Sequence, residues 1–136
     1  MSVYVPAELR RQVRQQFADR CAYCQTAECL TPVMFEIEHI EPSSLGGATA
    51  LKNLCLACPT CNRFKSDRTL AVGLSVRLFH PQKDEWAEHF QWSDDATELI
   101  GLTEIGAATI KLLQINRPQY ARVRRMWVAM NEHPPD

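Results

Sequence analysis

The sequence predicts an α+β fold in which helices near both ends of the chain flank short β-strands. Apolar residues recur at steps of three and four near both termini, which is the helical period. Short segments between them alternate apolar and polar residues, as half-buried strands do. The 136 residues, of which 46% are hydrophobic, fit a single domain at 1–136, with a core at 20–70 and an extension at 71–136 that packs on it.

The first predicted element is a helix at residues 6–20. Pro6 suits the first helical turn, and Leu9, Val13 and Phe17 follow at steps of four on one face. This helix leads directly to the first pair of cysteines.

A β-hairpin followed by a short helix is predicted next. Residues 34–40 alternate apolar and polar side chains, a loop with Gly46 and Gly47 ends this strand, and Leu54–Ala57 is the return strand. The polar residues 62–68 suit a helix. The predicted order is therefore β-β-α, with cysteines on both sides of the hairpin.

The extension is predicted to contain a second hairpin and two helices. Residues 75–79 and 89–92 alternate like paired strands. Residues 103–115 have helical spacing, and Pro118 opens a last helix. Its apolar stripe, which we expect to pack in the core, comprises Tyr120, Val123, Trp127 and Met130.

Four of the six cysteines form two C-x-x-C pairs, namely Cys21, Cys24, Cys58 and Cys61. Two residues between sulfurs allow a tight turn to direct both thiolates at one tetrahedral Zn²⁺, and four thiolates leave no open coordination position. The spacing therefore predicts a structural zinc site, with a redox C-x-x-C protein as the alternative. Cys29 and Cys55 lie outside the pairs, and we expect both to be buried.

Charge and hydropathy limit the classes of partner. The formal net charge is −1, so a nucleic-acid-binding surface has to be local. Residues 84–98 contain acids and no Lys or Arg, whereas residues 111–125 contain basic residues and no acid. That basic run, which we interpret as a helix face that assists DNA contact, comprises Lys111, Arg117, Arg122, Arg124 and Arg125. No apolar segment approaches a membrane span and no export signal is visible, so we expect a cytoplasmic protein without membrane contact.

The residues with catalytic chemistry lie near the predicted hairpin. Glu38 is a hard oxygen ligand for a divalent cation, and His39, with an ordinary pKa of about 6.5, can take a proton from water near neutral pH. Asn62 directly follows Cys61, and its carbonyl oxygen can be a second metal ligand. Arg63 and Lys65 can face phosphate oxygens.

These motifs, in this order, resemble the HNH endonuclease family with its ββα-metal fold. The resemblance rests on residues 38–42, Gly46 and Gly47, residues 51–54 and residues 58–65. It implies that His39 is the general base, that Asn53 braces the loop through hydrogen bonds, and that Asn62 and Glu38 hold a catalytic Mg²⁺ or Mn²⁺. Glu38 stands where the family more often has Asp. The extension resembles that of small bacterial HNH proteins.

The sequence therefore predicts a metal-dependent endonuclease that hydrolyses DNA phosphodiester bonds. Its catalytic residues are predicted to be His39, Asn53, Asn62 and Lys65, and its DNA contacts Arg63, Lys65 and Arg68. One alternative is a zinc-stabilised nucleic-acid-binding or interaction module on the same scaffold without turnover, and another is a cysteine-based oxidoreductase.

Overall fold

The computed structural model describes residues 3–69 and 75–135, which form two compact units. The first unit is Met1–Thr69 with His80–Asp84, and the second is Leu70–Phe79 with Glu85–Asp136. The predicted α+β class is confirmed. Residues 71–74, where the predicted extension begins, lie outside the described residues, and the single-domain organisation stays a prediction.

The first unit begins with helix α1, Ala7–Gln16, which follows Pro6 and buries Val13. The helix ends four residues before the predicted Arg20. The helix cannot continue to Arg20 because Ala18 and Asp19 have positive φ values of 54° and 55°.

The predicted β-β-α order is present in the first unit. Strands β1, Glu36–His39, and β2, Leu54–Ala57, pair antiparallel, with His39 opposite Leu54. The loop between them needs Gly47, where a Cβ would lie 1.8 Å from the Glu41 carbonyl oxygen. Helix α2, Pro59–Lys65, starts earlier than predicted, because Pro59 occupies its first turn and the Cys58 sulfur accepts a hydrogen bond from Cys61 N.

The second unit contains the short helix α3, Trp86–His89, followed by strands β3, Phe90–Trp92, and β4, Leu99–Gly101. The predicted pairing of residues 75–79 with 89–92 is wrong, because β3 pairs with β4. A tight turn makes this pairing local: Ser93 N donates to Glu98 O at 2.8 Å, and Asp95 accepts from Thr97 N at 3.1 Å. Leu78 and Phe79 are buried without forming a strand.

Two longer helices complete the second unit. Helix α4, Glu104–Leu113, begins after Thr103, whose hydroxyl accepts from Gly106 N at 3.1 Å, and helix α5 is Pro118–Ala129. Both helices were predicted. The apolar stripe on α5 was expected to pack in the core along its whole length, but Met130 at its end is exposed. No helix in the described residues combines the length and apolar character that crossing a bilayer demands.

Arg124 on α5 is not part of the predicted DNA-contacting face at residues 111–125, and DNA contact by the other basic residues of that run stays a prediction. The Arg124 side chain is fully buried, donates to Thr97 O at 3.1 Å and Ile115 O at 2.9 Å, and lies over the rings of Trp92 and Tyr120. A guanidinium enclosed in this way cannot reach a phosphate. Arg124 ties α5 to the turn before β4 and to the segment after α4.

Candidate metal centre and active site

The four paired cysteines converge, as their spacing predicts. Cys21 and Cys24 lie in the turn after α1, and Cys58 and Cys61 lie at the start of α2. All four are buried and free of disulfides, and their sulfurs lie within 4.8 Å of one another. The Cys24 and Cys58 sulfurs are 3.8 Å apart. A tetrahedral ion with Zn–S bonds of about 2.3 Å requires sulfurs about 3.8 Å apart, so this cluster fits zinc.

The remaining two cysteines have different surroundings. Cys55 is buried on β2, as predicted, and burial raises the pKa of its thiol well above the ordinary value. Cys29 is exposed, so its predicted burial is wrong. The reason is that it lies in a short 3-10 turn, Glu28–Leu30, none of whose residues is buried.

A buried ion pair connects β1 to α2. Lys65 Nζ lies 2.8 Å from Glu38 Oε1, and the two side chains are 2% and 5% exposed. Lys65 also donates to Ile40 O at 3.0 Å, while Glu38 Oε2 accepts from the Cys55 thiol at 3.3 Å. Burial raises the pKa of Glu38, and the Lys65 charge opposes that rise. The predicted contact of Lys65 with phosphate is wrong, because its ammonium group is enclosed.

His39 is half-buried at the end of β1. Its Nε2 lies 2.9 Å from the Thr49 hydroxyl, in the loop that follows Gly47. Burial lowers the pKa of His39 below its ordinary 6.5. The imidazole is therefore neutral near pH 7, which is the form that accepts a proton.

Asn53 braces the loop between the strands through its side-chain amide, as expected. Its Oδ1 accepts from Glu41 N at 2.8 Å, and its Nδ2 donates to Glu41 O at 3.0 Å and Ala48 O at 2.8 Å. Its backbone carbonyl accepts from Ile40 N at 2.8 Å. These bonds hold the loop that carries Thr49, and through Thr49 they fix the ring of His39.

Three of the predicted site residues line one open cavity of about 550 Å³, whereas Asn53, Lys65, Arg63 and Arg68 do not line it. Its lining includes Glu38, His39 and Asn62, and it adds Glu36 and Asp67. Asn62 Nδ2 donates to Glu36 Oε1 at 3.0 Å. Carboxylate and amide oxygens around an open cavity suit a hard divalent cation such as Mg²⁺ or Mn²⁺.

Residues 21–68 match the family model described as HNH endonuclease. This segment, about a third of the chain, is similar to HNH endonuclease domains. The match begins at Cys21 and ends three residues beyond α2. It therefore includes the four clustered cysteines, Asn53, and the cavity residues named above from Glu36 to Asp67. Neither the search of curated proteins nor that of solved structures found a match to the chain.

Sequence reasoning missed two acidic side chains that line this cavity, Glu36 and Asp67. The sequence could have indicated Glu36, because it lies two residues before Glu38 and alternate residues of a strand share a face. It could not have indicated Asp67, because the position of Asp67 depends on Ser66, which ends α2 with a φ of 53°. Arg63 and Arg68, both predicted to contact DNA, are exposed on and just after α2.

Proposed function

We propose that this chain is a metal-dependent endonuclease that hydrolyses DNA phosphodiester bonds, with His39 as general base. The observation that carries the proposal is that Glu38, His39 and Asn62 line one open cavity within the segment that is similar to HNH domains. A site that only needed its zinc cluster for stability would not require a neutral, positioned histidine at the mouth of such a cavity.

His39 takes the proton from the water that attacks phosphorus. The Thr49 hydroxyl at Nε2 fixes the ring, so the other ring nitrogen is the one that meets the water. Burial keeps the ring neutral, which leaves it able to accept the proton at physiological pH. Asn53 keeps the Thr49 loop in place and has no direct part in the chemistry.

Asn62 and the two strand carboxylates, Glu36 and Glu38, are the residues that would hold the divalent cation. Asn62 is oriented by its hydrogen bond to Glu36, and Glu38 is oriented by Lys65 and Cys55. When bound, Mg²⁺ or Mn²⁺ supplies Lewis-acid stabilisation of the leaving 3′-oxygen. Lys65 is thus a positioning residue. Breakage of the bond to the 3′-oxygen leaves 3′-hydroxyl and 5′-phosphate ends.

The zinc cluster has a structural role in this proposal. Cys21, Cys24, Cys58 and Cys61 occupy all four tetrahedral positions, so no site remains for water or substrate. The cluster joins the end of α1 to the start of α2 and thereby sets the direction of Asn62, the next residue after Cys61.

Nicking of supercoiled plasmid DNA by the zinc-loaded protein in Mg²⁺ or Mn²⁺ tests the proposal. His39→Ala should abolish nicking with unchanged circular dichroism, whereas His80→Asn, a half-buried histidine outside the cavity, should nick like the wild type. Thr49→Val should lower kcat about tenfold and leave KM unchanged, because it removes only the hydroxyl that orients His39. Equal nicking by the wild type and His39→Ala contradicts the assignment.

A second candidate is a nucleic-acid-binding module on the HNH scaffold without turnover. The observation that favours it is the enclosure of Glu38 by Lys65, which engages a carboxylate that a metal needs. Calorimetric titration of Mn²⁺ into zinc-loaded protein separates the two candidates. An endonuclease binds one further ion, and Asn62→Ala weakens that binding, whereas a pure binding module shows no second site.

A further inference from the structure

A groove lies beside the cavity that contains His39 in the first unit and has no part in the chemistry proposed above. It has a volume of about 660 Å³ and is formed by the segment before α1, by α1 itself and by the residues leading into β1. We call it the α1 groove. Its lining includes Tyr4, Arg10, Met34, Phe35, Glu36 and Ile37.

The α1 groove exposes two large side chains with flat or flexible apolar surfaces. Tyr4 is 78% exposed and Met34 is 79% exposed. A single exposed apolar residue is ordinary on a protein surface. Tyr4 offers an aromatic face on which a nucleobase can stack, and Met34 adds apolar surface in the same groove.

Arg10 is the arginine of the α1 groove that is available to an anion. Arg11 pairs with Glu8, and Arg14 pairs with Glu28 at 2.7 Å. Within the residues that the structure describes, the Arg10 side chain makes no ion pair or hydrogen bond, and it is exposed. The groove therefore offers an arginine without an ion pair beside its apolar surface, while Glu36 at its other side hydrogen-bonds Asn62.

The α1 groove is continuous with the candidate active site. Val3, Glu36 and Ile37 line both the groove and the cavity that contains His39. A strand whose phosphate lies at His39 has its neighbouring nucleotide within reach of the groove. Asn62 and Asp67 line the cavity from the side of α2.

We propose that the α1 groove binds an unpaired nucleotide next to the scissile phosphate, with its base against Tyr4 and Met34 and its phosphate at Arg10. This proposal rests on the proposed endonuclease function and specifies its substrate as DNA with a single-stranded flank. A base inside a duplex is already stacked and cannot present its face to Tyr4. Stacking also supplies affinity to a chain whose net charge is −1 and which lacks a general basic excess.

Binding is tested without cleavage, using single-stranded DNA that carries 2-aminopurine and no added Mg²⁺ or Mn²⁺. The zinc-loaded wild type should quench the 2-aminopurine fluorescence. Tyr4→Ala should bind at least about tenfold more weakly, while Tyr4→Phe, which keeps the ring, should bind like the wild type. Arg10→Gln should reduce the slope of log affinity against log salt by about 0.7, the value for one phosphate of single-stranded DNA. Lys83→Gln removes the charge of an exposed lysine in the first unit that lines neither the groove nor the cavity, so it is the matched control and should change nothing.

Cleavage provides the second arm and separates the two proposals. The wild type should cut a duplex with a single-stranded flank faster than a fully paired duplex of the same sequence, and Tyr4→Ala should remove that preference. Equal cutting of both substrates by the wild type, or wild-type binding by both Tyr4→Ala and Arg10→Gln, overturns the groove proposal and leaves the endonuclease standing. Binding that depends on Tyr4 and Arg10 without cleavage of any substrate supports the groove and rejects the endonuclease.

Discussion

Replacing Lys65 with Met should strongly destabilise the first unit, although the two side chains are similar in length. Lys65 lies 2.8 Å from Glu38 Oε1, and both side chains are almost entirely removed from water. Met keeps the packing and removes the charge, so Glu38 stays as a buried carboxylate without its cation. Ile40 O also loses the donor that Lys65 supplies at 3.0 Å.

The expected loss in unfolding free energy is about 3 to 5 kcal/mol, the range for a buried pair that has lost one partner. Adding Glu38→Gln removes the unpaired charge and should restore about 2 kcal/mol of that loss. Lys52→Met is the matched control. Lys52 is exposed, so its replacement should change the unfolding free energy by no more than about 0.5 kcal/mol.

The effect of Lys65→Met should also depend on pH. Burial raises the pKa of Glu38 above its ordinary 4.5, and Lys65 opposes the rise, so this variant raises the pKa further. A carboxyl with a higher pKa in the folded than in the unfolded state loses stability as pH rises from the unfolded to the folded pKa. The deficit of the variant relative to the wild type should therefore shrink toward pH 4.5 and grow above it.

Backbone amide hydrogen exchange of β1 and β2 in zinc-loaded proteins measures these differences, because those strands belong to the first unit. A deficit below about 1 kcal/mol for Lys65→Met, or a double variant no more stable than Lys65→Met, refutes the buried-pair reasoning. A deficit that is independent of pH shows that lost packing, and not an unpaired carboxylate, is its cause.

Three further predictions concern His39, the zinc cluster and Arg124. Because burial lowers the pKa of His39, the cleavage rate should fall with acid only below pH 6.5, and a pH–rate profile with its midpoint above 7.5 contradicts His39 as the base. Cys58→Ser should release zinc and unfold the first unit, while Cys29→Ser, which alters an exposed cysteine, should retain zinc by native mass spectrometry. Arg124→Met should destabilise the second unit by about 2 to 4 kcal/mol, because two buried carbonyls lose their donors. Arg125 is exposed, so Arg125→Met should change the unfolding free energy by no more than about 0.5 kcal/mol. Urea unfolding followed by tryptophan fluorescence measures both variants.

Local patterns predicted the elements of the first unit well. The strand at residues 54–57 has the predicted bounds, because four apolar residues between a loop and a cysteine pair leave little choice. The ends of helices were predicted less well, since α1 and α2 both stop where residues with positive φ follow. A positive φ at Ala18 or Ser66 could not be predicted from residue type, because glycine and asparagine are the residues that usually adopt one.

The second unit shows why strand pairing was harder to predict than strand period. Alternation at residues 75–79 suggested a partner for β3, but pairing depends on which segment a turn brings back. The turn that does so is built from the side chains of Ser93, Asp95 and Thr97. Its small polar residues were a turn signal, yet the three residues of β4 are too few for their own period to be recognised.

The candidate site divides into residues visible in the sequence and residues visible only in the fold. His39, Asn53 and Asn62 belong to the motif by which the sequence resembles HNH endonucleases, so the resemblance predicted a place for them near the hairpin. Thr49 was not predicted, because its contact with His39 depends on the path of a loop that Asn53 bends back. Lys65 was misinterpreted for a general reason: a lysine is nearly always exposed, and only a buried carboxylate reverses that expectation.

Tyr23 links the zinc cluster to the candidate active site. It lies between Cys21 and Cys24, is fully buried, and its hydroxyl hydrogen-bonds Glu38 and contacts the Cys55 sulfur at 3.9 Å. The turn that aims two thiolates at zinc therefore also holds the residue beside Glu38, the neighbour of His39. Removal of zinc should consequently abolish cleavage although zinc takes no part in the reaction. As zinc is removed, the loss of cleavage should parallel the loss of amide hydrogen-exchange protection in β1. His39→Ala should instead abolish cleavage and leave the protection of β1 unchanged.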